Sequence, residues 1–362
     1  MKILHIITSL RTGGAEKLMI DLLPRLREKG HEVELCLFDG VDTPFKRDMQ
    51  PTGITIRELG KNRSVYHPAN LIALCKLIRK GRYDIVHTHN TAPQIFAAIA
   101  SAFSKSKFIT TEHNTSNRRR AWKGYVAIDR WMYNRYNTVI CISKKAEENL
   151  RTYLGKCNTD IYTINNGVNI TKYSEAKPSK ELEQMAPNSR KIIMVAGFRW
   201  EKDQDTLIKA LKYLPPNFHL FLVGDGVRRS ELESLANAEN LTTRVHFLGI
   251  RTDVPNLLHS ADYIVMSSHF EGLSLSSVEG MSVGKPFLAS DVDGLREVVN
   301  GAGILFPHQD EKVLVSEIMK LEQDSNLYES ISNNCRQRAN QYDISVMTNG
   351  YNNLYKFLYE FK

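Results

Sequence analysis

Cysteine is scarce in this chain: five in 362 residues, odd in number, scattered at Cys36, Cys75, Cys141, Cys157 and Cys335, and never in a Cys-x-x-Cys pair. That excludes a disulfide framework and a zinc site, and reduced thiols in a cytoplasm are expected. Long hydrophobic runs are also missing. The longest nearly apolar stretch, Ile95 to Phe103, falls well short of the roughly 18–20 residues that cross a bilayer, so no spanning helix is expected. The first residues, Met1-Lys2-Ile3-Leu4-His5-Ile6-Ile7, pass from one charge to a short apolar run without a signal-peptide core, so secretion is not expected. Low-complexity tracts and repeats of about 20–50 residues are absent, which excludes solenoids. There is no Gly-x-Gly-x-x-Gly dinucleotide fingerprint, and no glycine-rich turn runs into the Gly-Lys-Ser/Thr of a P-loop.

What is present is ordinary globular composition, 42% hydrophobic and 24% charged, in a chain too long for one core. Two domains are expected. The net charge of +8 is unevenly placed: residues 1–170 hold 27 Lys and Arg against 15 Asp and Glu, the remainder 21 against 25. A basic first half suits nucleic acid, an anionic membrane surface or a phosphorylated substrate, or serves solubility alone. No nucleic-acid-binding module is recognisable.

Short Val/Ile/Leu-rich runs alternate with longer amphipathic stretches, the pattern of parallel strands joined by crossover helices. In the first half strands are predicted at Lys2–Ile7, Glu32–Phe38, Ile85–Thr88, Lys107–Thr111, Thr138–Ile142 and Ile161–Ile164. In the second they fall at Lys191–Val195, Leu220–Val223, Val245–Leu248, Tyr263–Met266, Phe287–Ala289 and Ile304–Phe306. Between the sets, Thr171 to Arg190 is rich in Lys, Glu, Ser, Pro and Asn without apolar periodicity and reads as a linker. The divisions are therefore 1–170, a linker 171–190, 191–342, and a last helical segment 343–362. Parallel sheets bind ligands at the carboxyl ends of their strands.

Three stretches carry candidate chemistry. Gly13-Gly14 between a strand and a helix lets backbone amides approach a phosphate or sugar, or makes a tight turn only. Ser267-Ser268-His269-Phe270-Glu271-Gly272-Leu273-Ser274-Leu275-Ser276-Ser277-Val278-Glu279 runs from a strand end through a loop into a helix starting near Ser276. Its two glutamates can enter one pocket: Glu279 to accept from both hydroxyls of a ribose, Glu271 to hold hydroxyls of a sugar, while free amides at the helix start favour a phosphate. The alternative is that Glu279 favours the helix dipole and Glu271 closes a loop. His87 and His89 look like a metal pair, but no third ligand is evident near them, and a metal is not expected.

The Glu-x7-Glu stretch, continuing through Gly280 to Gly284-Lys285-Pro286, resembles the signature of family 4 glycosyltransferases. The resemblance extends over essentially the whole chain through Gly13-Gly14-Ala15-Glu16, Thr111-Glu112-His113-Asn114, Asn166-Gly167-Val168-Asn169, Gly197-Phe198-Arg199-Trp200-Glu201-Lys202, Val223-Gly224-Asp225-Gly226, Phe247-Leu248-Gly249 and Gly303-Ile304-Leu305-Phe306-Pro307. It implies the GT-B fold: two Rossmann-like domains facing across a cleft, with a terminal helix crossing back to the first.

The resemblance also implies roles. Catalysis would rest on His113, Glu271, Arg199 and Lys202, the two cations stabilising the departing nucleotide diphosphate. Donor binding would use Gly13, Gly14, Gly272, Leu273, Ser274, Leu275 and Glu279, with the main chain at Ile250 and Arg251 facing the base. His113 would position the reacting sugar first and move protons second, because in a retaining transfer the donor's own phosphate oxygen can take the acceptor proton. Asp291-Val292-Asp293 resembles a metal-binding Asp-x-Asp, yet its place fits a loop where the family usually carries glycine at position 293; Gly280 stands where the family favours alanine. No cofactor or metal is expected, the nucleotide-sugar being a substrate. The basic aromatic stretch Arg118, Arg119, Arg120, Trp122 and Lys123 suits a lipid-linked or polysaccharide acceptor or an anionic membrane, or forms a solvated loop. The expectation is a retaining, metal-independent glycosyltransferase of the cytoplasm using a UDP-sugar in cell-surface glycan synthesis. The rival readings are a GT-B epimerase or hydrolase and a non-catalytic sugar-nucleotide binder.

Overall fold

The strands predicted from sequence are all present in the computed structural model, which describes residues 1–11, 13–61, 63–113, 124–272 and 274–360. The chain divides into two units, Met1–Gly167 with Ile344–Lys362, and Val168–Asp343. In the first, strands β1 (Lys2–Ile7), β2 (Glu32–Leu37), β3 (Thr55–Glu58), β4 (Ile85–His89), β5 (Lys107–Glu112), β6 (Thr138–Cys141) and β7 (Asp160–Thr163) form one parallel sheet in the order β3-β2-β1-β4-β5-β6-β7. The edge strand β3 was not anticipated. It is four residues long and mostly exposed, so it lacks the apolar run that marks its neighbours.

Alternation across the first sheet sorts two cores. Ile3 and Ile7 of β1, with Ile85 and Ile109, face the helices Gly14–Glu28 and Ile344–Glu360 through Leu18, Met19, Leu22, Met347, Tyr351 and Tyr355. Leu4, Ile6, Val86 and Phe108 face the other way, onto Met132, Tyr133 and Leu150. The helix after the second unit is thus part of the first: Tyr351 and Tyr355 are wholly buried in its core.

In the second unit, β8 (Arg190–Val195), β9 (Phe218–Val223), β10 (Val245–Gly249), β11 (Tyr263–Met266), β12 (Phe287–Ser290) and β13 (Ile304–Phe306) form a parallel sheet ordered β10-β9-β8-β11-β12-β13. The predicted linker 171–190 is a correction. It carries the helices Ile170–Ser174 and Lys180–Met185, whose Tyr173 and Leu182, with Ala186 just past the second, are buried in the second unit's core. Two helices this short bury too few apolar residues to show a period, although each has a side-chain N-cap, Asn169 and Ser179. Among the described residues no helix is long and apolar enough to cross a membrane.

Both sheets reverse their strand order once, at β1/β4 and at β8/β11. Such a reversal leaves a crevice beyond the carboxyl ends of the two strands, where no crossover helix can sit.

Candidate active site

At the first reversal lies a cavity of about 350 Å³ lined by Gly14, Ala15, Glu16, Asn90, Thr91, Gln94, Thr111, Glu112 and His113. Gly13 is the N-cap of the helix Gly14–Glu28, in extended backbone that any residue adopts. What Gly14 supplies is space: a Cβ there would meet nothing within 4 Å. The backbone at Gly14 is therefore open to the cavity, while the Glu16 carboxylate folds back against Gly13. Opposite, Asn90 adopts φ 69° and ψ 160°, a region that glycine ordinarily occupies, and its amide reaches Glu16 at 3.4 Å. Sequence reading did not single out Asn90; strain of this kind concentrates where a binding loop must be shaped.

His113 follows β5 at the cavity wall, partly exposed. Its Nε2 lies 2.9 Å from His89 Nδ1, and His89 Nε2 lies 3.1 Å from His5 Nδ1. Burial pushes the His113 imidazole down to about 4. The expectation that no third ligand lies near His87 and His89 is thus corrected, since ring nitrogens of His5, His87 and His89, one from each, lie within 4.8 Å of one another. Because β1, β4 and β5 are in regular parallel register, His5 pairs with His87, and His89 with Thr111, on one face of the sheet. The signal was parity: positions 5, 87, 89, 111 and 113 each point to that face once register is known.

At the second reversal, β8 leads to Arg199 and Lys202, and β11 leads to Glu271. Lys202 Nζ contacts Glu271 Oε1 at 2.5 Å, and Ser268 Oγ donates to the same oxygen at 2.8 Å. The loop is pinned from three sides. His269 N donates to Glu201 O, Ser267 Oγ to Asp203 O, and Ser290 Oγ to Ser268 O. Gly294 closes the fourth: at φ +83°, a Cβ there would meet Gly272 O at 2.0 Å and Glu271 O at 2.4 Å. Only glycine lets the loop after β12 support the Glu271–Gly272 backbone so closely. Arg199 is exposed at the start of the single turn Trp200–Lys202 that carries Lys202.

The helix after the loop is Leu275–Ser282, capped by Ser274, whose Oγ accepts from Ser277 N at 3.3 Å. Glu279 is buried within it, one turn beyond its start. Ile250 is 80% exposed just after β10. The Arg251 side chain is committed elsewhere: it pairs with Glu181 at 2.6 Å and Asp253 at 2.8 Å, which holds its guanidinium above the usual range. Any contact with a base at this point therefore falls to main chain. Asp291 and Asp293 both face Arg296, at 2.6 and 3.8 Å, so the Asp-x-Asp is an ion-pair pattern around one cation. Leu273, Arg118, Arg119, Arg120, Trp122 and Lys123 lie outside the described residues.

Gly280 has a packing explanation. A Cβ there would lie 2.7 and 2.9 Å from two Phe287 ring atoms and 3.0 Å from Ile264 Cγ2. Gly280→Ala should gain about 1 kcal/mol in helix propensity and lose about 1–3 kcal/mol to overpacking, a net destabilisation in urea unfolding. In a Phe287→Leu background the same change should instead stabilise. Stabilisation in both backgrounds would show that the ring does not set this position.

Comparison with known proteins places both halves of the chain. Residues 12–172 match the model described as Glycosyltransferase Family 4, and residues 176–338 the model described as Glycosyl transferases group 1. The UDP-Gal:alpha-D-GlcNAc-diphosphoundecaprenol alpha-1,3-galactosyltransferase of Escherichia coli is 26% identical over 357 residues, covering 93% of this chain and 92% of that protein. The lipopolysaccharide core biosynthesis glycosyltransferase LpsD of Rhizobium meliloti is 27% identical over 338 residues, covering 92% and 91%. Among solved structures, Anabaena HepE in complex with UDP superposes with a TM-score of 0.85 at 24% identity, over 98% of this chain and 99% of that one.

Proposed function

Since the chain belongs to glycosyltransferase family 4, with two Rossmann-like units of the GT-B type, we propose that it transfers a sugar from a UDP-sugar to a lipid-linked saccharide with retention of configuration. The observation that carries this reading is the Lys202–Glu271 pair at the β8/β11 reversal, beside the start of the helix Leu275–Ser282. A cation, a hydroxyl-accepting carboxylate and free helix amides together match a diphosphate joined to a sugar. The donor and acceptor classes draw support from the name of the Escherichia coli relative, which carries a UDP-Gal donor and a diphosphoundecaprenol acceptor.

In the proposed step the bond from the anomeric carbon to the donor phosphate oxygen breaks, and the acceptor oxygen bonds to that carbon on the same face. The acceptor proton passes to the departing phosphate oxygen. Lys202 and Arg199 meet the charge that grows on the leaving group, with no divalent ion required in that role. Glu271 holds hydroxyls of the transferred sugar, and Glu279 those of the ribose. His113, with Gly13 and Gly14, serves the reacting sugar, its imidazole neutral near pH 7 because burial holds it down to about 4. Arg118, Arg119, Arg120, Trp122 and Lys123 would meet an anionic lipid surface, giving peripheral attachment at the cytoplasmic face.

The test is nucleotide release from UDP- and GDP-sugars by purified protein, with and without diphospholipid saccharides and with EDTA. Release from one UDP-sugar that rises with acceptor and survives EDTA is expected. Acceptor-independent turnover would replace the transferase with a hydrolase or epimerase, and loss in EDTA would remove the metal-free mechanism.

A further inference from the structure

The chain of imidazoles behind His113 continues past the site. From His113 Nε2 it runs to His89 Nδ1 at 2.9 Å, from His89 Nε2 to His5 Nδ1 at 3.1 Å, and from His5 Nε2 to Tyr355 OH at 3.4 Å. Tyr355 OH then meets His87 Nδ1 at 2.6 Å, and His87 Nε2 meets Thr111 Oγ1 at 2.7 Å. Beyond it, Thr111 Oγ1 and Tyr351 OH are 3.3 Å apart. His5, His87, His89, Thr111, Tyr351 and Tyr355 are all wholly buried.

Burial keeps these rings uncharged: it pushes His5 down to about 3, and His87 and His89 well below their ordinary range. A neutral imidazole owns one N–H and one bare nitrogen. Each ring must therefore pass the direction of its links along the chain, and at Tyr355 the phenol donates to His87, donates to His5, or accepts from both. The distances at Tyr355 choose between these. A separation of 2.6 Å is short for an N–H donor but ordinary for an O–H donor, so the phenol donates to His87 Nδ1 and receives, at longer range, from His5 Nε2. His5 Nδ1 is then bare and accepts from His89 Nε2–H, and His89 Nδ1 accepts from His113 Nε2–H.

We propose that Tyr355, His5 and His89 form a one-way hydrogen-bond relay that fixes His113 in the Nε2–H tautomer, leaving Nδ1 as a lone-pair acceptor for a substrate hydroxyl. The three are positioning residues acting through His113, and this use of its tautomer rests on the role proposed for His113 above. The ring geometry is that of hydrogen bonds rather than of a metal cage. His5 and His89 lie within 8° of parallel with centroids 5.4 Å apart, so their 3.1 Å contact runs edge to edge in the ring planes. Metal ligands would instead aim their lone pairs at a common point.

Tyr355→Phe is the discriminating variant. It deletes one hydroxyl three links from His113, keeps the ring that fills the core, and leaves the cavity lining untouched. With its acceptor gone, His5 Nε2–H is left unpaired, and reversing the links relieves that: His89 Nδ1–H then donates to His113 Nε2. In full-length protein with ¹⁵N-labelled histidine, His113 should read as the Nε2–H tautomer in wild type and shift to Nδ1–H in Tyr355→Phe. Turnover number should fall about tenfold at nearly unchanged donor KM, as for loss of an orienting partner. His89→Gln, which keeps a polar group beside His113 Nε2, should recover part of the activity that His89→Phe loses.

An unchanged His113 tautomer in Tyr355→Phe would overturn the relay. So would a stoichiometric metal ion in the purified protein that is lost on His5→Ala. Because the spectrum reads the tautomer directly, full activity in His113→Ala would remove the catalytic role of that residue while the relay stood or fell on its own.

Discussion

Lys202→Ala should lower turnover about 10²–10³-fold, the cost of removing one aligned charge from a developing anion in an enclosed site. The loss should fall mainly on kcat, because the diphosphate gains charge as the sugar departs. Glu271→Ala should be comparably damaging by a different route: it removes the proposed sugar contact and frees the ammonium that it orients at 2.5 Å. Since the two side chains touch, the double variant should lose much less than the product of the single losses. Folding should survive, as Lys202 retains a quarter of its side-chain exposure and Glu271 keeps the Ser268 hydroxyl as a partner when the ammonium is removed. Steady-state kinetics on the donor identified by the release assay decide the matter. Activity within about threefold of wild type in Lys202→Ala would mean that the diphosphate lies elsewhere.

The second large effect is acid instability of the first unit. His5, His87 and His89 are wholly buried and held below the ordinary imidazole value by loss of hydration. Their hydroxyl and imidazole neighbours, Thr111, Tyr351, Tyr355 and His113, carry no charge that would offset this. Well above pH about 6.5 neither folded nor unfolded chain binds these protons, and the full stability is present. Below it the unfolded chain takes up three protons that the folded one refuses, each costing up to about 1.4 kcal/mol per pH unit. Between pH about 6.5 and 5 the three together should remove up to about 5 kcal/mol, much of a typical domain's stability. In the second unit the part-buried pair His219 and His246 shifts in the same direction, but with only two rings. Urea unfolding followed separately for each unit should show the first failing before the second as pH falls. A midpoint for the first unit that is the same at pH 7 and pH 5 would contradict the burial of neutral histidines.

Sequence revealed most where information is local. Strands such as Ile192–Val195 and Phe287–Ala289 are apolar runs bounded by turns, and the Glu271–Glu279 segment holds its whole pattern within one loop and one helix. What escaped depended on partners far away in the chain. β3 exists because β2 offers it an edge, through pairs such as Leu35 with Ile56. The helices within 171–190 exist because Tyr173 and Leu182 find a core made by the second unit. The histidine chain joins residues 5, 87, 89, 113 and 355, and no window of about 18 residues along the sequence holds more than two of them. Strand parity would have placed His5, His87, His89 and His113 on one face, but only the strand order makes them neighbours.

The helix Ile344–Glu360 belongs to the first unit although it is synthesised after the whole of the second. Translation runs from the amino end, so residues 1–167 must wait with an apolar trench over Ile3, Ile7 and Ile109, where Tyr351 and Tyr355 will later lie. The second unit, continuous from Val168 to Asp343, has all its partners earlier. Domains usually mature in the order in which they emerge from the ribosome; here the order is inverted. The apolar trench of the first unit can be covered only after Ile344–Glu360 has been made.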